Sequence, residues 1–236
     1  DQYQQVQYSL RADEMRLKLG QTAAALADME RLLDDLRPES WLYRDVRQRI
    51  EDVFLRTDDY AGLADYYENW LEQSPDDVDA MARLGEALAV QGRMPEAQEW
   101  YSRAIERAPS NVVLRLAFIE QLVAERKFAE AVRQYEQLDE YDPGNPDHIA
   151  EWGRLIAEDR SLDEDERRTR ASEVWRKLLD AHPDDPVIVT QVADLHRHAQ
   201  LNDDAIALYR QVVELAPDDP QYREYLGEFY HRLERP

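Results

Sequence analysis

Four side chains have the types and spacing of a divalent-cation site. Asp194 and His198 are four apart, and Glu228 and His231 are three apart. Those spacings put both members of a pair on one face of a helix. Imidazole with carboxylate is a ligand set for zinc and its first-row neighbours. The plainer alternative is four polar side chains in water, and it is the reading taken here: no metal and no cofactor is expected. His196 and His198 are two apart, which turns them to different sides of a helix, so they are no ligand pair. No nucleophile stands out. Ser is scarce and none sits in a Gly-rich elbow, so no Ser-His-Asp arrangement is legible. No Gly-rich loop is present to cradle a phosphate. The chain has no Cys, which removes disulfides, thiolate metal sites and Cys nucleophiles. Carboxylates lie close together everywhere among 51 acidic residues, so their pairing carries no information. No catalytic residue is assigned, and the chain is not expected to be an enzyme.

Charge narrows the partners. The 236 residues include 51 Asp or Glu against 29 Lys or Arg, a net charge of −22. Such a polyanion repels phosphate backbones and anionic lipid headgroups. Nucleic acid is therefore not an expected partner, and a basic protein or peptide is. The alternative is that the excess acid only keeps the surface soluble. Hydrophobic residues make up 43% of the chain, enough to fold. Abundant Ala, Leu, Glu, Arg and Gln, with only 7 Gly and 11 Pro, favour helix. No apolar run approaches the ~20 residues that span a bilayer, so direct membrane insertion is not expected. The compartment stays open, because a chain without disulfides folds in oxidising and reducing spaces alike. A start at Asp1 rather than Met is expected of a processed protein or of a piece of a longer one.

The elements that carry these residues repeat. Residues 84–109, LGEALAVQGRMPEAQEWYSRAIERAP, hold two apolar stripes at helical spacing, a Gly-containing break and a closing Pro. Pro recurs at 75, 109, 143, 183 and 217, at intervals of 34, 34, 40 and 34. Eight residues before each stands an aromatic: Tyr67, Tyr101, Tyr135, Trp175 and Tyr209. Four further back are Leu63, Ala97, Ala131, Ala171 and Ala205. Five before each Pro are Trp70, Ala104, Leu138, Leu178 and Val212. A fixed period marks stacked supersecondary units, interrupted here once by six extra residues.

The pattern resembles the tetratricopeptide repeat, a 34-residue helix–turn–helix unit. Residues 78–111 match its signature best, with Met81, Leu84, Gly85, Leu88, Ala97, Tyr101, Ala104 and Pro109. Residues 112–145 keep Phe118, Leu122, Ala131, Tyr135 and Pro143, with Ile119 in place of the Gly. Residues 146–185 keep Trp152, Gly153, Ile156, Ala171, Trp175 and Pro183 around the six-residue insertion. Residues 186–219 keep Val192, Ala193, Ala205, Tyr209 and Pro217. Residues 44–77 are more degenerate, with Glu51 at the Gly position and Leu63 at the first Ala position. The resemblance implies an all-α, right-handed superhelical solenoid of antiparallel helix pairs. Five tandem repeats would fill 44–219, with a degenerate hairpin over 1–39 and a partial repeat or capping helix over 220–236.

The spacing has a physical cause. In each helix the signature residues recur at three, four or seven, so they line one face. Gly85 and Ala97 are small where the two helices of a hairpin cross closely, and Tyr101 fills the wider gap beside them. A larger residue at Ala97 would overpack that crossing by ~1–3 kcal/mol. Pro109 stops the second helix, and Asn145-Pro146, Asp185-Pro186 and Asp219-Pro220 read as cap and first turn of the next. In 1–39, Tyr3, Val6, Leu10 and Leu17 form one helical stripe and Gly20 a break. Ala25, Met29 and Leu32 form a second stripe running up to Pro38, after which Ser40 caps the following helix. At the far end, Leu226, Gly227 and Tyr230 match a first helix. Tyr225 and Phe229 make it apolar for a cap, so that end is expected to pack on something or the chain to continue. In 158–170, EDRSLDEDERRTR, Ser161 and Glu164 fit a capping box. A second helix that starts early and projects past its neighbours is expected there, its function no more than that of a solvated surface.

The resemblance also implies a groove. In this family the first helices line a concave surface, and the second and ninth positions of each repeat usually face it. The second positions here are Asp45, Asp79, Val113, Asp147, Val187 and Gln221; the ninth are Asp52, Glu86, Glu120, Arg154, Asp194 and Glu228. The partner-binding candidates are Asp45, Asp52, Asp79, Glu86, Glu120, Arg154, Asp194 and Glu228. Stacked helices put equivalent residues ~10 Å apart, near one Debye length in physiological salt. A column of acids at that spacing suits a Lys/Arg-rich segment. Alternatively, the same acids pair with Arg49, Arg83, Arg115 and Arg197 on their own helices. The Lys, Asn and Arg with which some relatives clamp a chaperone's C-terminal carboxylate are absent, so that role is not carried over. Tyr66 and Trp100, beside the core face, are either partner anchors or inter-repeat packing, and packing is preferred. The expected function is a non-catalytic scaffold for a partner protein or an extended basic peptide. The rivals are an accessory segment of a larger enzyme, such as a transferase, and end-to-end self-association into a helical scaffold.

Overall fold

The computed structural model describes residues 2–38 and 40–233. Among the described residues there are thirteen α-helices and no strand. They are α1 (Gln2–Lys18), α2 (Thr22–Asp34), α3 (Trp41–Arg56), α4 (Tyr60–Gln73), α5 (Val78–Val90), α6 (Met94–Arg107), α7 (Val112–Ala124), α8 (Phe128–Tyr141), α9 (Pro146–Glu158), α10 (Glu164–Ala181), α11 (Pro186–His198), α12 (Asn202–Leu215) and α13 (Pro220–Arg232). The chain divides into two units, Asp1–Ala108 with α1–α6 and Pro109–Pro236 with α7–α13. Within each unit, every helix packs on its neighbours in sequence, and contacts beyond nearest neighbours include α1 with α3 and α9 with α11. Hairpins that each bury their apolar face only against adjacent hairpins are the hallmark of a repeat stack.

Both ends of the helices obey a rule that the sequence writes repeatedly. The residue before each periodic Pro adopts one backbone conformation. Ser74, Ala108, Asp142, His182 and Ala216 all lie at φ −137 to −129° and ψ 60 to 67°. The Pro ring excludes the helical region from the preceding residue, so the second helices stop there. The predicted caps form. Asn145, Asp185 and Asp219 accept from backbone N–H groups of α9, α11 and α13, each with Pro in the first turn. Ser40 Oγ accepts from Tyr43 N at 3.2 Å. Each three-residue hairpin turn carries its middle residue in the left-handed region: Gly20 (74°), Asp58 (52°), Gly92 (75°), Arg126 (59°) and Gln200 (62°). Gly adopts that conformation without a steric cost; the other three do not.

The repeated small and aromatic residues form the core. Leu63, Ala97, Ala131, Ala171 and Ala205 are buried, as are Tyr67, Tyr101, Tyr135, Trp175 and Tyr209. A Cβ placed on Gly85 would stand 3.1 Å from the Tyr101 ring, and one on Gly153 only 2.0 Å from Trp175 Nε1. Helix crossings are thus closest where the repeat has Gly. Ala104, Leu138, Leu178 and Val212 are also buried. Trp70, at the same register, is only half-buried. Its indole N–H donates to Asp77 at 2.9 Å while the Arg47 guanidinium lies 4.7 Å over its ring. Tyr66 is buried against Phe54, Tyr67 and Trp70, so it is a packing residue. Trp100 is half-buried under the Arg103 guanidinium.

Three local expectations need correction. The insertion is capped by Asp163, whose side chain accepts from Glu166 N at 2.8 Å; Ser161 instead donates its backbone N–H to Asp159. The helix does start early: α10 has 18 residues where α6, α8 and α12 have 14. In the N-terminal hairpin, α2 ends at Asp34, short of Pro38, and Leu33 rather than Leu32 is its buried residue. Tyr3 lies 45% exposed, whereas Val6 and Leu10 are buried. The next buried position on α1 is Asp13, paired with Arg16 at 2.6 Å.

Candidate functional site

The first helices present the candidate surface, and each unit is described by itself. In the N-terminal unit, Asp45 and Asp52 project from α3, and Asp79 and Glu86 from α5. Asp45 pairs with Arg49 at 3.2 Å, and Arg49 also reaches Glu14 at 3.1 Å. Glu86 pairs with Arg83 at 3.1 Å, and Arg83 also reaches Glu51 at 3.3 Å. Asp52 and Asp79 are exposed and make no ion pair among the described residues. Asp52 lines an open cavity of about 480 Å³ between α1, α2 and α3, whose walls include Leu10, Lys18, Arg49 and Arg56.

In the C-terminal unit, Glu120 projects from α7, Arg154 from α9, Asp194 from α11 and Glu228 from α13. Glu120 is exposed and makes no ion pair among the described residues. Arg154 pairs with Glu151 on its own helix. Asp194 accepts from Arg197 at 2.7 Å and from the Tyr209 hydroxyl at 2.7 Å. Glu228 reaches Arg232 at 3.9 Å. Arg115, the remaining proposed counter-ion, pairs with no acid among the described residues. It is buried and donates to Gln134, Gln137 and the Pro109 carbonyl. Desolvation holds its pKa below the usual guanidinium value. Intrahelical Arg pairing therefore engages Asp45, Glu86, Asp194 and Glu228, while Asp52, Asp79 and Glu120 remain open carboxylates among the described residues.

Two cavities lie between the first helices of this unit. One of about 730 Å³ separates α9 from α11, with Arg154, Ala157, Glu158, Val187 and Asp194 on its walls and Trp175 behind them. Another of about 340 Å³ lies between α11 and α13, and holds Asp194, Arg197, Glu228 and Arg232. Sequence reasoning placed Val187 at a groove position but selected acids instead. The signal available was an apolar residue at a solvent-facing position, and Val187 is 65% exposed.

The His residues separate as their spacing requires. His198 is exposed, its Nδ1 2.7 Å from the Asp194 carbonyl. His196 is buried, with Nδ1 2.9 Å from the Val192 carbonyl and Nε2 2.9 Å from Ser172 Oγ. Burial lowers its pKa from 6.5, so the ring is neutral at physiological pH. The Asp194 carboxylate is committed to Arg197 and Tyr209. Among the described residues, no three His, Asp or Glu side chains gather as a metal site.

The helical hairpins, their glycine crossings and their proline stops define a class of repeat scaffold, and comparison with known proteins gives the family. The tetratricopeptide repeat profile matches residues 52–112, 160–220 and 190–236, more than half of the chain. The chain belongs to the tetratricopeptide repeat family, an all-α helical-repeat solenoid whose members serve protein–protein interaction. Among solved structures, it is similar to the C-terminal part of a TPR repeat-containing protein from Cytophaga hutchinsonii. Identity is 16% and the TM-score 0.56, over 96% of this chain and 89% of that one. It also matches YrrB, described as a TPR protein with an unusual peptide-binding site, at 12% identity and TM-score 0.48, over 84% and 96%. A segment of MamA from Desulfovibrio magneticus RS-1 matches at 17% identity and TM-score 0.47, over 75% and 95%. At these identities the likeness concerns the fold. No curated protein sequence matches the chain. No helix among the described residues is long and apolar enough to cross a membrane.

Proposed function

We propose that this chain is a non-catalytic scaffold that holds an extended, basic segment of a partner protein against its first helices. The array assigned to this task is the five repeats over 44–219. The observation that carries the reading is that each unit has exposed carboxylates at candidate groove positions that make no ion pair among the described residues, Asp52 and Asp79 in the first and Glu120 in the second, on a chain of net charge −22. Charges of one sign along a surface steer an oppositely charged partner and set its register. The test is fluorescence anisotropy with a labelled Lys/Arg-rich peptide across a salt series. Affinity should fall as salt rises, and Asp79→Lys with Glu120→Lys should weaken binding well beyond Glu136→Lys on the second helix α8. Affinity that holds or increases in high salt would remove the reading.

End-to-end self-association is a second reading, supported by α13. Tyr225 is 40% exposed there, and a Cβ on Gly227 would meet nothing within 4 Å. The equivalent Gly85 and Gly153 are each covered by an aromatic ring. Light scattering across a concentration series should then show growth that a Gly227→Arg variant abolishes.

A further inference from the structure

The cavity between α9 and α11 is built differently from the rest of the groove. Its volume of about 730 Å³ falls within the ~300–1,000 Å³ of ligand pockets. Apolar groups form much of its wall: Ala157 from α9, Val187 from α11, and Trp175 from α10. Val187 is 65% exposed, whereas Trp175 is 1% exposed and pinned by its N–H to the Ala150 carbonyl at 3.3 Å. The back wall is therefore rigid and the rim open. The charges around it are mostly spent. Asp194 is held by Arg197 and Tyr209, and Arg154 by Glu151. The carboxylate left over is Glu158, exposed and without an ion pair among the described residues, at the last residue of α9. His198, the last residue of α11, lines the same cavity. Both helices end beside the cavity, and the negative ends of their two dipoles favour a cation beside Glu158.

We propose that this cavity is the anchor site of the bound segment, and that it selects a large aliphatic or aromatic side chain two residues from a Lys or Arg. The apolar side chain enters over Val187 against Trp175, and the cation meets Glu158. In an extended segment, residues i and i+2 point the same way ~7 Å apart, so one strand supplies both groups. The inference rests on the reading that the chain binds an extended basic segment. It adds that affinity and selection come from one apolar position, with the surrounding charge acting as steering.

The test is selection of a random dodecapeptide library displayed on phage against the whole chain, followed by anisotropy with the synthetic winners. The winners should share a Leu, Ile, Met, Phe or Trp two positions from a Lys or Arg, and replacing that residue by Ala should cost at least tenfold in affinity. Ala157→Trp, which fills the cavity, and Val187→Glu, on the exposed rim, should each remove that preference. Circular dichroism establishes that both variants are folded. Winners that are basic but share no apolar position would overturn the anchor and leave the acidic-surface reading standing. Winners with the apolar position but no basic residue would support the cavity and remove the basic partner. A selection without winners would overturn both.

Discussion

One substitution, Gly→Ala, should have three different outcomes at three equivalent positions. Gly85, Gly153 and Gly227 occupy the same place in α5, α9 and α13. Ala is the better helix former by ~0.8–1.0 kcal/mol, and that gain is common to all three. What differs is the neighbour. On Gly227 the added Cβ meets nothing within 4 Å, so Gly227→Ala should stabilise α13 by up to ~1 kcal/mol. On Gly85 the Cβ falls 3.1 Å from the Tyr101 ring and 3.3 Å from the Ala97 carbonyl. A shift of a few tenths of an ångström relieves it, and the net change should stay within ~1 kcal/mol of zero. On Gly153 the Cβ lies 2.0 Å from Trp175 Nε1 and 2.5 Å from two further ring atoms. The indole must retreat by about 1.4 Å to reach ordinary contact at 3.4 Å. It cannot do so in place, being 1% exposed and bonded to the Ala150 carbonyl. Overpacking of ~1–3 kcal/mol plus ~1 kcal/mol for the hydrogen bond, less the helix gain, leaves Gly153→Ala ~1–3 kcal/mol less stable. Denaturant unfolding followed by circular dichroism reads the two internal variants, and amide exchange in α13 reads the terminal one. A neutral or stabilising Gly153→Ala, or a destabilising Gly227→Ala, would refute the reasoning from helix-crossing distance.

Two other consequences follow from burial and backbone. His196 is neutral in the fold, its pKa lowered from 6.5 first by desolvation and also by the nearby Arg176, against the opposing pull of the Val192 carbonyl and Asp204. The unfolded chain then binds the proton more readily, so this contribution to stability is complete above pH 6.5 and lost as pH falls through the window below it. Unfolding midpoints measured between pH 8 and 5 should show this slope in the parent and not in His196→Gln; equal slopes would locate the acid sensitivity elsewhere. Arg126 holds φ at 59° in a turn where Gly92 stands one repeat earlier. Relief of ~1–2 kcal/mol, less the ~0.5–1 kcal/mol entropy of Gly, makes Arg126→Gly ~0.5–1 kcal/mol more stable by denaturant titration.

The residues that define the hairpins could be located in advance because several independent patterns agree on the same register. The aromatic eight residues before each Pro is buried in every case, from Tyr67 to Tyr209, and each pre-proline residue ends a helix. Where a pattern is carried by conformation instead of residue type, it was hidden. The left-handed turn position is announced by Gly92 but disguised by Asp58, Arg126 and Gln200, which occupy it at a cost. Asp13 was invisible for the opposite reason: it stands at a core position of α1 and is tolerated there through Arg16.

The candidate groove resists sequence reading for a deeper reason. A core position is constrained by neighbours that recur with each repeat, so its identity can be inferred from its register. A groove position faces solvent, and its state depends on which rotamer a long side chain takes. Glu86 and Glu120 occupy equivalent places, yet Glu86 is drawn to Arg83 three residues back on its own helix, while α7 has Ala117 there and leaves Glu120 open. The α9–α11 cavity depends likewise on residues that no repeat signature fixes: a short Ala157 on one wall and an outward Val187 on the other. Repetition thus fixes the scaffold through what every hairpin has in common. Under the proposed reading, partner choice resides in what the hairpins do not share, and in the C-terminal unit one departure from the acidic pattern is the apolar wall formed by Val187, Ala157 and Trp175.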